Sequence, residues 1–313
     1  MNSKTRENYQ RLISAVQALP ASPTAVAHPC DEASLSGAVD AAKLGIIVPI
    51  LVGPRHKILL VAAAAKINIA EYEIIDVEHS HAAAAKAVAL VREGHAEMLM
   101  KGSLSSDELL AAVVKRETGL RTARRLSHCF IMDVPHHGNV LIITDAAINI
   151  FPTLEDKVDI VQNAIDLAHA LKIESPKVAI LSAMEKVNPK LQSTVEAAAL
   201  CKMADRGQIT GGVLDGPLAL DNAISPEAAR IKNIAGPVAG HADILVVPDL
   251  EAGNMLAKSL SFLMDADSAG IVLGARVPIT LTSRADSVQS RLASCAVSAL
   301  VAHQRRETAA KVS

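Results

Sequence analysis

The chain has 313 residues, of which half are hydrophobic and a fifth are charged, and its formal net charge is -2 at pH 7. A composition this apolar excludes a disordered chain, and the near-neutral charge argues against a nucleic-acid partner or an anionic membrane surface. Only 2% of the residues are aromatic. This shortage argues against a ring-lined sugar groove and against stacking platforms for single-stranded nucleic acid. The apolar residues are mainly Ala, Val, Ile and Leu, which is typical of helices packed on a buried parallel sheet.

Short apolar runs alternate with stretches of helical periodicity along the first hundred residues. The pattern predicts helices over 3–19, 32–44, 55–68 and 79–93, and strands over 24–27, 46–52, 72–77 and 97–100. Successive strand–helix units of this kind are typical of a parallel, doubly wound sheet. The fold class predicted is therefore α/β.

The pattern changes near residue 126, where two strand-like runs over 128–134 and 140–144 follow each other with only a short polar link between them. Alternation then resumes, with predicted helices over 154–171, 189–204, 226–234, 253–264 and 284–303 and predicted strands over 178–181, 212–214, 244–247 and 271–273. A single core rarely grows beyond about 250–300 residues, so the length favours two domains over one. We expect the boundary between them at the link near residue 135.

The cysteine pattern and the N-terminus indicate the compartment. The four cysteines are far apart and form no C-x-x-C pair, so we expect neither a disulfide framework nor a metal site. The N-terminus lacks the apolar stretch of a signal peptide, and no apolar run approaches the roughly 18 residues that a membrane span needs. We therefore expect a soluble, cytoplasmic protein.

Small, polar and charged residues follow the predicted strands. In open α/β sheets ligands bind at the carboxyl ends of strands, although turn chemistry alone also favours such residues there. The residues in question are Gly53-Pro54-Arg55, Lys101-Gly102-Ser103, Thr144-Asp145, Ser182-Ala183-Met184-Glu185, Asp215-Gly216-Pro217, Pro248-Asp249-Leu250 and Thr282-Ser283-Arg284.

Two of these strand ends carry sharper signals. Ser283 and Asp286 have a capping-box spacing before the last helix, where Arg284 supplies a cation suited to phosphate oxygens. The segment is therefore either a simple helix cap or a phosphate site. Lys101 with Gly102 is either a solvated surface lysine or a cation placed where a backbone can approach a ligand closely. The sequence lacks G-x-G-x-x-G, the P-loop, G-x-S-x-G and H-E-x-x-H, which disfavours a dinucleotide enzyme, a P-loop kinase, a serine hydrolase and a zincin.

Several longer blocks resemble the phosphate acetyl/butyryltransferases, and the butyryltransferase-like branch more than the acetyltransferase branch. The blocks are KGSLSSDELLAAV (101–113), ETGLRTARRLSH (117–128), TDAAINIFPTLEDK (144–157), SAMEKVNPKLQSTVEA (182–197), LDGPLALDNAIS (214–225), VAGHADILVVPDLEAGNMLAK (238–258) and GARVPITLTSRADS (274–287). Together they extend the resemblance over roughly residues 40–303.

The resemblance implies both a reaction and an architecture. The reaction is transfer of a short acyl group, acetyl or butyryl, between coenzyme A (CoA) and inorganic phosphate. CoA is then a substrate or product, and neither a metal nor a tightly bound cofactor is expected. The architecture has two doubly wound domains with mainly parallel sheets and an inter-domain cleft, similar to the isocitrate and isopropylmalate dehydrogenases. The implied domains are 1–138 plus 287–313 and 139–286, in a homodimer.

The resemblance also implies site residues. Ser283 and Arg284 match the serine–arginine pair that contacts CoA and the phosphate region in the family. The matching blocks also suggest the substrate-binding candidates Lys101, Gly102, Arg121, Asn149, Asp215, Gly216, Asp249 and Asn254.

Three positions depart from the acetyltransferase pattern. Ser290 stands where those enzymes carry an aspartate proposed to take the proton of the CoA thiol, Ala146 replaces a cysteine, and Ala112 replaces an arginine. The general base is therefore unassigned, and Asp286 and Asp145 are its candidates. A catalytically silent acyl-CoA-binding homologue is the alternative hypothesis. A related decarboxylating dehydrogenase is disfavoured, because the aspartates after the strands form no metal-binding motif.

Overall fold

A computed structural model describes residues 3–135, 137–282 and 286–312. Its helices are α1 (Ser3–Gln17), α2 (Glu32–Lys43), α3 (Arg55–Ala65), α4 (Ser80–Arg92), α5 (Ser106–Val113), α6 (Leu154–Ala170), α7 (Gln192–Asp205), α8 (Leu220–Ile224), α9 (Pro226–Ile231), α10 (Leu250–Leu263) and α11 (Val288–Val312). Its strands are β1 (Ser22–Ala27), β2 (Ile47–Gly53), β3 (Glu73–Asp76), β4 (Met98–Lys101), β5 (Ser127–Asp133), β6 (Leu141–Thr144), β7 (Lys177–Leu181), β8 (Val213–Leu218), β9 (Ile244–Val246), β10 (Asp267–Leu273) and β11 (Ile279–Thr280). The alternation of helices and strands confirms the predicted α/β class.

The chain divides into two compact units. Arg125–Ser268 form the central unit, and Arg6–Arg124 together with the described residues from Ala269 onward form the terminal unit. The domain boundaries drawn from the sequence, 1–138 plus 287–313 and 139–286, stay a prediction.

The sheet of the terminal unit has the strand order β3-β2-β1-β4-β11-β10. All neighbours are parallel except β10 and β11, so the carboxyl ends of β1, β4 and β11 lie side by side at one edge. The core is aliphatic and includes Leu35, Leu51 and Met98, with Cys295 from α11. The doubly wound pattern predicted for the first hundred residues is confirmed by this order.

The sheet of the central unit has the order β5-β6-β9-β7-β8. Strands β5 and β6 are antiparallel, and the other neighbours are parallel. The two adjacent strands predicted around residue 135 are therefore present, and the described residues of the link, 134–135 and 137–140, form no helix. The carboxyl ends of β6, β9 and β7 share one edge, which positions the residues that follow Thr144, Val246 and Leu181.

The last helix differs from its prediction at both ends. It begins at Val288 rather than near residue 284, because the Ser287 hydroxyl accepts the N–H of Ser290 at 3.0 Å and caps it there. It also continues to Val312, beyond the predicted end at 303. Arg305 explains the extension, since its Nη1 donates to the carbonyl oxygens of Ala275 and Arg276 at 3.0 Å. No described helix is both long and apolar enough to cross a membrane.

Candidate active site

Lys101 ends strand β4 in the interior of the terminal unit. Its side chain is only 8% exposed, which excludes a solvated surface lysine. The Nζ atom donates to the carbonyl oxygens of Gly102 at 3.4 Å and Thr282 at 3.3 Å. A buried ammonium held by carbonyl dipoles is a cation placed at the carboxyl edge of the sheet, where an anionic ligand would meet it.

Gly102 sits where the chain after β4 crosses the end of β1. Its N–H donates to the carbonyl oxygen of Ala27 at 2.8 Å, and a Cβ at this position would overlap the carbonyl oxygens of Ala27 and His28. Only glycine fits this approach. The next residue, Ser103, donates its own N–H to the carbonyl oxygen of His28 at 2.8 Å, so the crossing holds the ends of β1 and β4 together.

His28 lies in this cluster, and the sequence interpretation missed it. Its Nδ1 is 2.8 Å from the Oγ of Ser103, and its backbone is left-handed, with φ 57°. Burial lowers the pKa of the half-buried ring, and the charge of Lys57 lowers it further, against the carboxylates of Glu108 and Asp31. His28 directly follows the predicted strand over 24–27, so the strand-end criterion applied to that strand would have found it.

Thr282, which follows β11, lies at this edge of the terminal unit. Thr282 is buried and its carbonyl oxygen accepts from Lys101, but the predicted residues Ser283 and Arg284 lie outside the described residues. Asp286 is half-buried and lies two residues before α11. Because Ser287 caps that helix, Asp286 does not occupy the capping position that the sequence predicted for it.

Arg121 belongs to the same unit but not to this cluster. It is exposed and pairs with Ala275 in an isolated antiparallel bridge. The neighbouring Thr122 donates its hydroxyl to the carbonyl oxygen of Gly274 at 2.6 Å. The described contacts at Arg121 therefore order its backbone and leave its guanidinium at the surface.

In the central unit, Asp145 organises the loop that follows β6. One carboxylate oxygen accepts the N–H groups of Ala147 at 3.0 Å and Ile148 at 3.1 Å. The other accepts the backbone N–H of Asn149 at 3.2 Å and its side-chain Nδ2 at 2.5 Å. We call residues 145–149 the β6 loop. A buried carboxylate that accepts four N–H groups is well suited to fix a loop.

Asn149 joins the β6 loop to Arg125, which the sequence interpretation did not single out. The Asn149 Oδ1 accepts from the Arg125 Nε at 2.7 Å, and Arg125 Nη1 is 3.1 Å from a carboxylate oxygen of Asp156. The Arg125 side chain is half exposed. Asp145, Asn149 and Arg125 therefore form one hydrogen-bonded chain, which continues from Arg125 to the Asp156 carboxylate.

His128 lies beside the β6 loop. It precedes Cys129, which pairs with Thr144 across β5 and β6, so the register places His128 opposite Asp145. The ring is buried and packs edge-on against Phe130 at 4.4 Å between centroids, and its Nδ1 has no hydrogen-bond partner among the described residues. Burial lowers its pKa to about 4, against the opposing effect of the Asp145 carboxylate.

Two further predicted residues belong to helix α10, and one of them, Asn254, contacts the β6 loop. Asp249 is the N-cap of α10 and accepts the N–H of Ala252 at 2.9 Å. Asn254 donates from Nδ2 to the carbonyl oxygen of Ala146 at 3.2 Å. The approach depends on Gly253, because a Cβ there would lie 3.0 Å from the Cα of Ala146.

Asp215 and Gly216 lie apart from the β6 loop. They are inside strand β8, which is separated from β6 by β9 and β7, a distance of roughly 14 Å at the usual strand spacing. Burial raises the pKa of the Asp215 carboxyl, and the N–H of Gly216 partly offsets the effect by donating at 2.8 Å. The two residues therefore belong to a separate part of the central unit. Among the described residues, no group of three or more His, Cys, Asp or Glu side chains is placed to hold a metal ion.

Comparisons with known proteins agree with the blocks identified in the sequence. A family model described as "Phosphate acetyl/butaryl transferase" matches residues 78–299. A phosphate acetyltransferase from Rhizobium meliloti is 68% identical over 298 residues, which are 95% of this chain and 94% of that protein. A phosphate butyryltransferase from Clostridium beijerinckii is 43% identical over 300 residues, which are 96% of this chain and 99% of that protein.

Solved structures give the same result. A branched-chain phosphotransacylase from Enterococcus faecalis V583 superposes with a TM-score of 0.79 at 33% identity, over 90% of this chain and 99% of that one. A 4-hydroxythreonine-4-phosphate dehydrogenase from Klebsiella pneumoniae shares the fold, with a TM-score of 0.53 at 13% identity over 90% of this chain and 99% of that one. The dehydrogenase-like architecture expected from the sequence is confirmed by this second match. The chain belongs to the phosphate acetyl/butyryltransferase family.

Proposed function

We propose that the protein catalyses the reversible reaction of a short acyl-CoA with inorganic phosphate to give an acyl phosphate and free CoA. The observation that carries the proposal is the similarity to a phosphate acetyltransferase over 95% of this chain. CoA is a substrate or product in this reaction, and the proposal includes neither a metal ion nor a tightly bound cofactor.

The described residues support direct attack of phosphate on the thioester. Such a reaction needs cations and N–H donors for phosphate and for the oxyanion that develops at the carbonyl group. The buried Lys101 supplies a cation at the carboxyl edge of its sheet. Arg284, which directly follows the segment whose Thr282 carbonyl binds Lys101, would supply a second one.

The cysteines support the same direct mechanism. Burial raises the pKa of Cys30 to about 11 and those of Cys129, Cys201 and Cys295 to about 12. The thiolate is the nucleophilic form of cysteine, so none of these side chains is activated to form a covalent acyl intermediate. Attack by phosphate in a ternary complex needs no such intermediate.

The first experiment separates the enzyme from a silent binding homologue. The protein is incubated with acetyl-CoA or butyryl-CoA, with and without phosphate, while thioester loss and thiol release are followed. Phosphate-dependent thiol release is expected. CoA binding without turnover of any short acyl-CoA would favour the silent homologue instead.

Replacement of Arg284 tests the predicted phosphate contact. Arg284→Ala should lower turnover by about two or more orders of magnitude, the usual cost of losing one preorganised donor to a transition state. Arg284→Lys should recover little if the planar guanidinium is needed. Arg230→Ala is the matched control, because Arg230 is an exposed arginine that pairs with Glu227 on the surface of α9. Near-normal turnover of Arg284→Ala would contradict the predicted contact between Arg284 and phosphate.

The acyl chain, the oligomeric state and the compartment are tested separately. One methylene group changes specificity by only about 1–3 kcal/mol, so a panel of acetyl-, propionyl-, butyryl- and branched acyl-CoA substrates decides the chain length. The homodimer and the cytoplasmic location stay predictions. Light scattering on the purified protein tests the first, and cell fractionation tests the second.

A further inference from the structure

We propose that His28 is the proton-transfer group of the reaction and that its Nε2 atom passes the proton between phosphate and the CoA sulfur. The proposal rests on the proposed acyl transfer and assigns the base that the sequence left open. It is argued from the position of His28, from the hydrogen bonds that fix its tautomer and from its backbone.

The sheet topology places His28 beside the cation of the site. Strands β1, β4 and β11 are parallel neighbours, so the residues that follow them share one edge. His28 follows β1, Lys101 ends β4 and Thr282 follows β11. Ser103 connects the first two ends, because its backbone N–H donates to the carbonyl oxygen of His28 at 2.8 Å.

The hydrogen bonds of Ser103 determine which ring nitrogen of His28 carries the proton. The Ser103 hydroxyl donates to the carbonyl oxygen of His28 at 2.8 Å, and a carbonyl oxygen can only accept. A hydroxyl has one proton, so the 2.8 Å contact between His28 Nδ1 and Ser103 Oγ must have Nδ1–H as its donor. The neutral ring therefore carries its lone pair on Nε2, which makes Nε2 the basic atom.

The backbone of His28 is held in an unusual conformation. A left-handed φ of 57° is uncommon for a residue with a β-carbon and persists where the surroundings impose it. Here the N–H of His28 donates to Val52 at 2.7 Å, while its carbonyl oxygen accepts from the N–H groups of Cys30 at 2.9 Å and Ser103 at 2.8 Å. Over-determined left-handed residues cluster at functional sites, and this one presents a half-buried imidazole.

The charges around the ring leave it neutral near neutral pH. Lys57 of α3 and burial both lower the pKa of His28, whereas Glu108 of α5 and Asp31, the N-cap of α2, raise it. The lowering effects dominate. A neutral ring can accept a proton at the start of the reaction, and the carboxylates nearby support the transient cation.

His28 alone can carry the one proton that the reaction transfers. As an oxygen of hydrogen phosphate attacks the carbonyl carbon, Nε2 accepts the phosphate proton and the C–O bond forms. The C–S bond then breaks, Nε2 delivers the proton to the departing thiolate, and the ring returns to its neutral form. In the reverse direction Nε2 takes the thiol proton and returns it to phosphate. No oxidant, reductant or further reactant is needed.

The test is His28→Asn, assayed in the direction that consumes free CoA. Asparagine tolerates the left-handed backbone and its amide can donate to Ser103 Oγ as Nδ1 does, but it has no equivalent of Nε2. General acid–base groups contribute typically about 10²–10⁴-fold, so kcat near neutral pH should fall at least about 100-fold. CoA affinity, measured by calorimetry, should change little. His95→Asn is the control, since His95 is exposed and precedes β4 at the opposite edge.

The pH profile distinguishes proton transfer from a structural role. An ordinary thiol has a pKa of about 8.5. Without a base, the reaction depends on the thiolate form of CoA, so the kcat of His28→Asn should rise about tenfold per pH unit from about pH 7 towards that value. The kcat of the wild type should stay nearly constant over the same range. Imidazole added to His28→Gly, which also tolerates the backbone, should restore part of the activity.

Other outcomes would overturn the proposal. His28→Asn with activity within about threefold of the wild type, or a loss of activity with a pH profile parallel to that of the wild type, would assign the base elsewhere, Asp286 included. If His28→Asn fails to fold, His28→Gly takes its place in the test. A folded His28→Gly variant whose activity imidazole does not restore would likewise assign the base elsewhere. Failure of the wild type itself to release thiol with phosphate would instead contradict the proposed acyl transfer. Failure of the His28 proposal and failure of the proposed function are therefore distinguishable.

Discussion

Gly102 occupies a position where any side chain would meet rigid backbone. A Cβ there would overlap two carbonyl oxygens, those of Ala27 and His28, and neither oxygen can rotate away. Gly102→Ala should therefore lower the free energy of unfolding by at least about 2 kcal/mol, at the upper end of overpacking, and lower turnover because the ends of β1 and β4 must separate. Denaturant unfolding and the thiol-release assay measure the two effects.

Gly45→Ala is the matched control for Gly102→Ala. Gly45 has a positive φ of 71°, but a Cβ there would meet nothing within 4 Å. Gly45→Ala therefore introduces backbone strain without a steric clash. It should lower the free energy of unfolding by only about 1 kcal/mol and leave turnover unchanged. Equal effects of the two substitutions would show that close packing at Gly102 does not matter.

His128 should make the protein sensitive to acid. In the unfolded chain its pKa is the ordinary 6.5, whereas burial lowers it to about 4 in the folded protein. Between these values the unfolded chain binds a proton that the folded chain excludes, so the free energy of unfolding falls as the pH drops from 6.5 towards 4. The contribution is fully present above that window.

Denaturant unfolding at a series of pH values measures this contribution. His128→Gln removes the titration, so its free energy of unfolding should fall with a shallower slope than that of the wild type, by up to about 1.4 kcal/mol per pH unit. The exposed His95, replaced in the same way, should leave the slope unchanged. Parallel slopes for His128→Gln and the wild type would contradict a depressed pKa at His128.

The sequence predicts where the site residues lie along the chain but not which contacts their side chains make. The sequence predicts that Lys101, Asp145 and Asp249 follow strands, because strand ends can be read from apolar periodicity. It does not predict that four N–H donors surround the Asp145 carboxylate, since those donors depend on how the β6 loop turns. The same limit applies to His28, whose contact with Ser103 joins residues 75 positions apart in the chain.

Helix α10 offers a test of whether Asp249 acts as a cap or as a substrate ligand. Its carboxylate accepts the N–H of Ala252 at 2.9 Å, which is the hydrogen bond of an N-cap. Asp249→Ala should cost about 1 kcal/mol of stability, whereas Asp249→Asn, a residue that also caps well, should cost little. Unfolding measurements combined with KM values for CoA and phosphate check both variants.

Thr153→Ala provides the comparison for Asp249→Ala, because Thr153 is the N-cap of α6 and accepts the N–H of Asp156. Its loss should cost a similar free energy of unfolding. If Asp249→Asn keeps its stability but raises a KM severalfold, the charge of Asp249 contacts a substrate and the capping role is only part of its function.

The elements themselves were largely predictable, and the exceptions have a common physical reason. Apolar periodicity locates a helix or strand, but its ends depend on caps and on distant contacts. Helix α11 starts later than predicted because Ser287 caps it, and it extends further because Arg305 binds two carbonyl groups of the 275–276 segment. Neither contact has a periodic signature in the sequence.

The order of the strands in the sheet is harder to predict from the sequence than their positions along the chain. The alternation of elements predicts parallel neighbours, but the insertion of β11 between β4 and β10 joins parts of the chain about 180 residues apart. That insertion places Thr282 beside Lys101. Part of the candidate site therefore exists only because the end of the chain returns to the sheet of its beginning.

The charge and composition of the molecule predict how it binds CoA. With a net charge of -2 and few rings, it must hold a highly anionic ligand through local cations rather than through a global field or stacking. The five rings are Tyr9, Tyr72, Phe130, Phe151 and Phe262. Electrostatic attraction at partly exposed sites is screened within about 10 Å at 0.1 M salt. The affinity for CoA should therefore be modest and should fall severalfold between low and high salt.

Calorimetric titration at increasing salt concentration measures this dependence. Pantetheine, which lacks the nucleotide and its phosphates, is the control ligand, and its affinity should be nearly independent of salt because it carries no comparable charge. A CoA affinity that is equally independent of salt would mean that the nucleotide is bound by aliphatic packing and neutral hydrogen bonds. In that case the buried Lys101 would serve the acyl and phosphate chemistry alone, since its ammonium would contribute no salt-sensitive attraction to CoA.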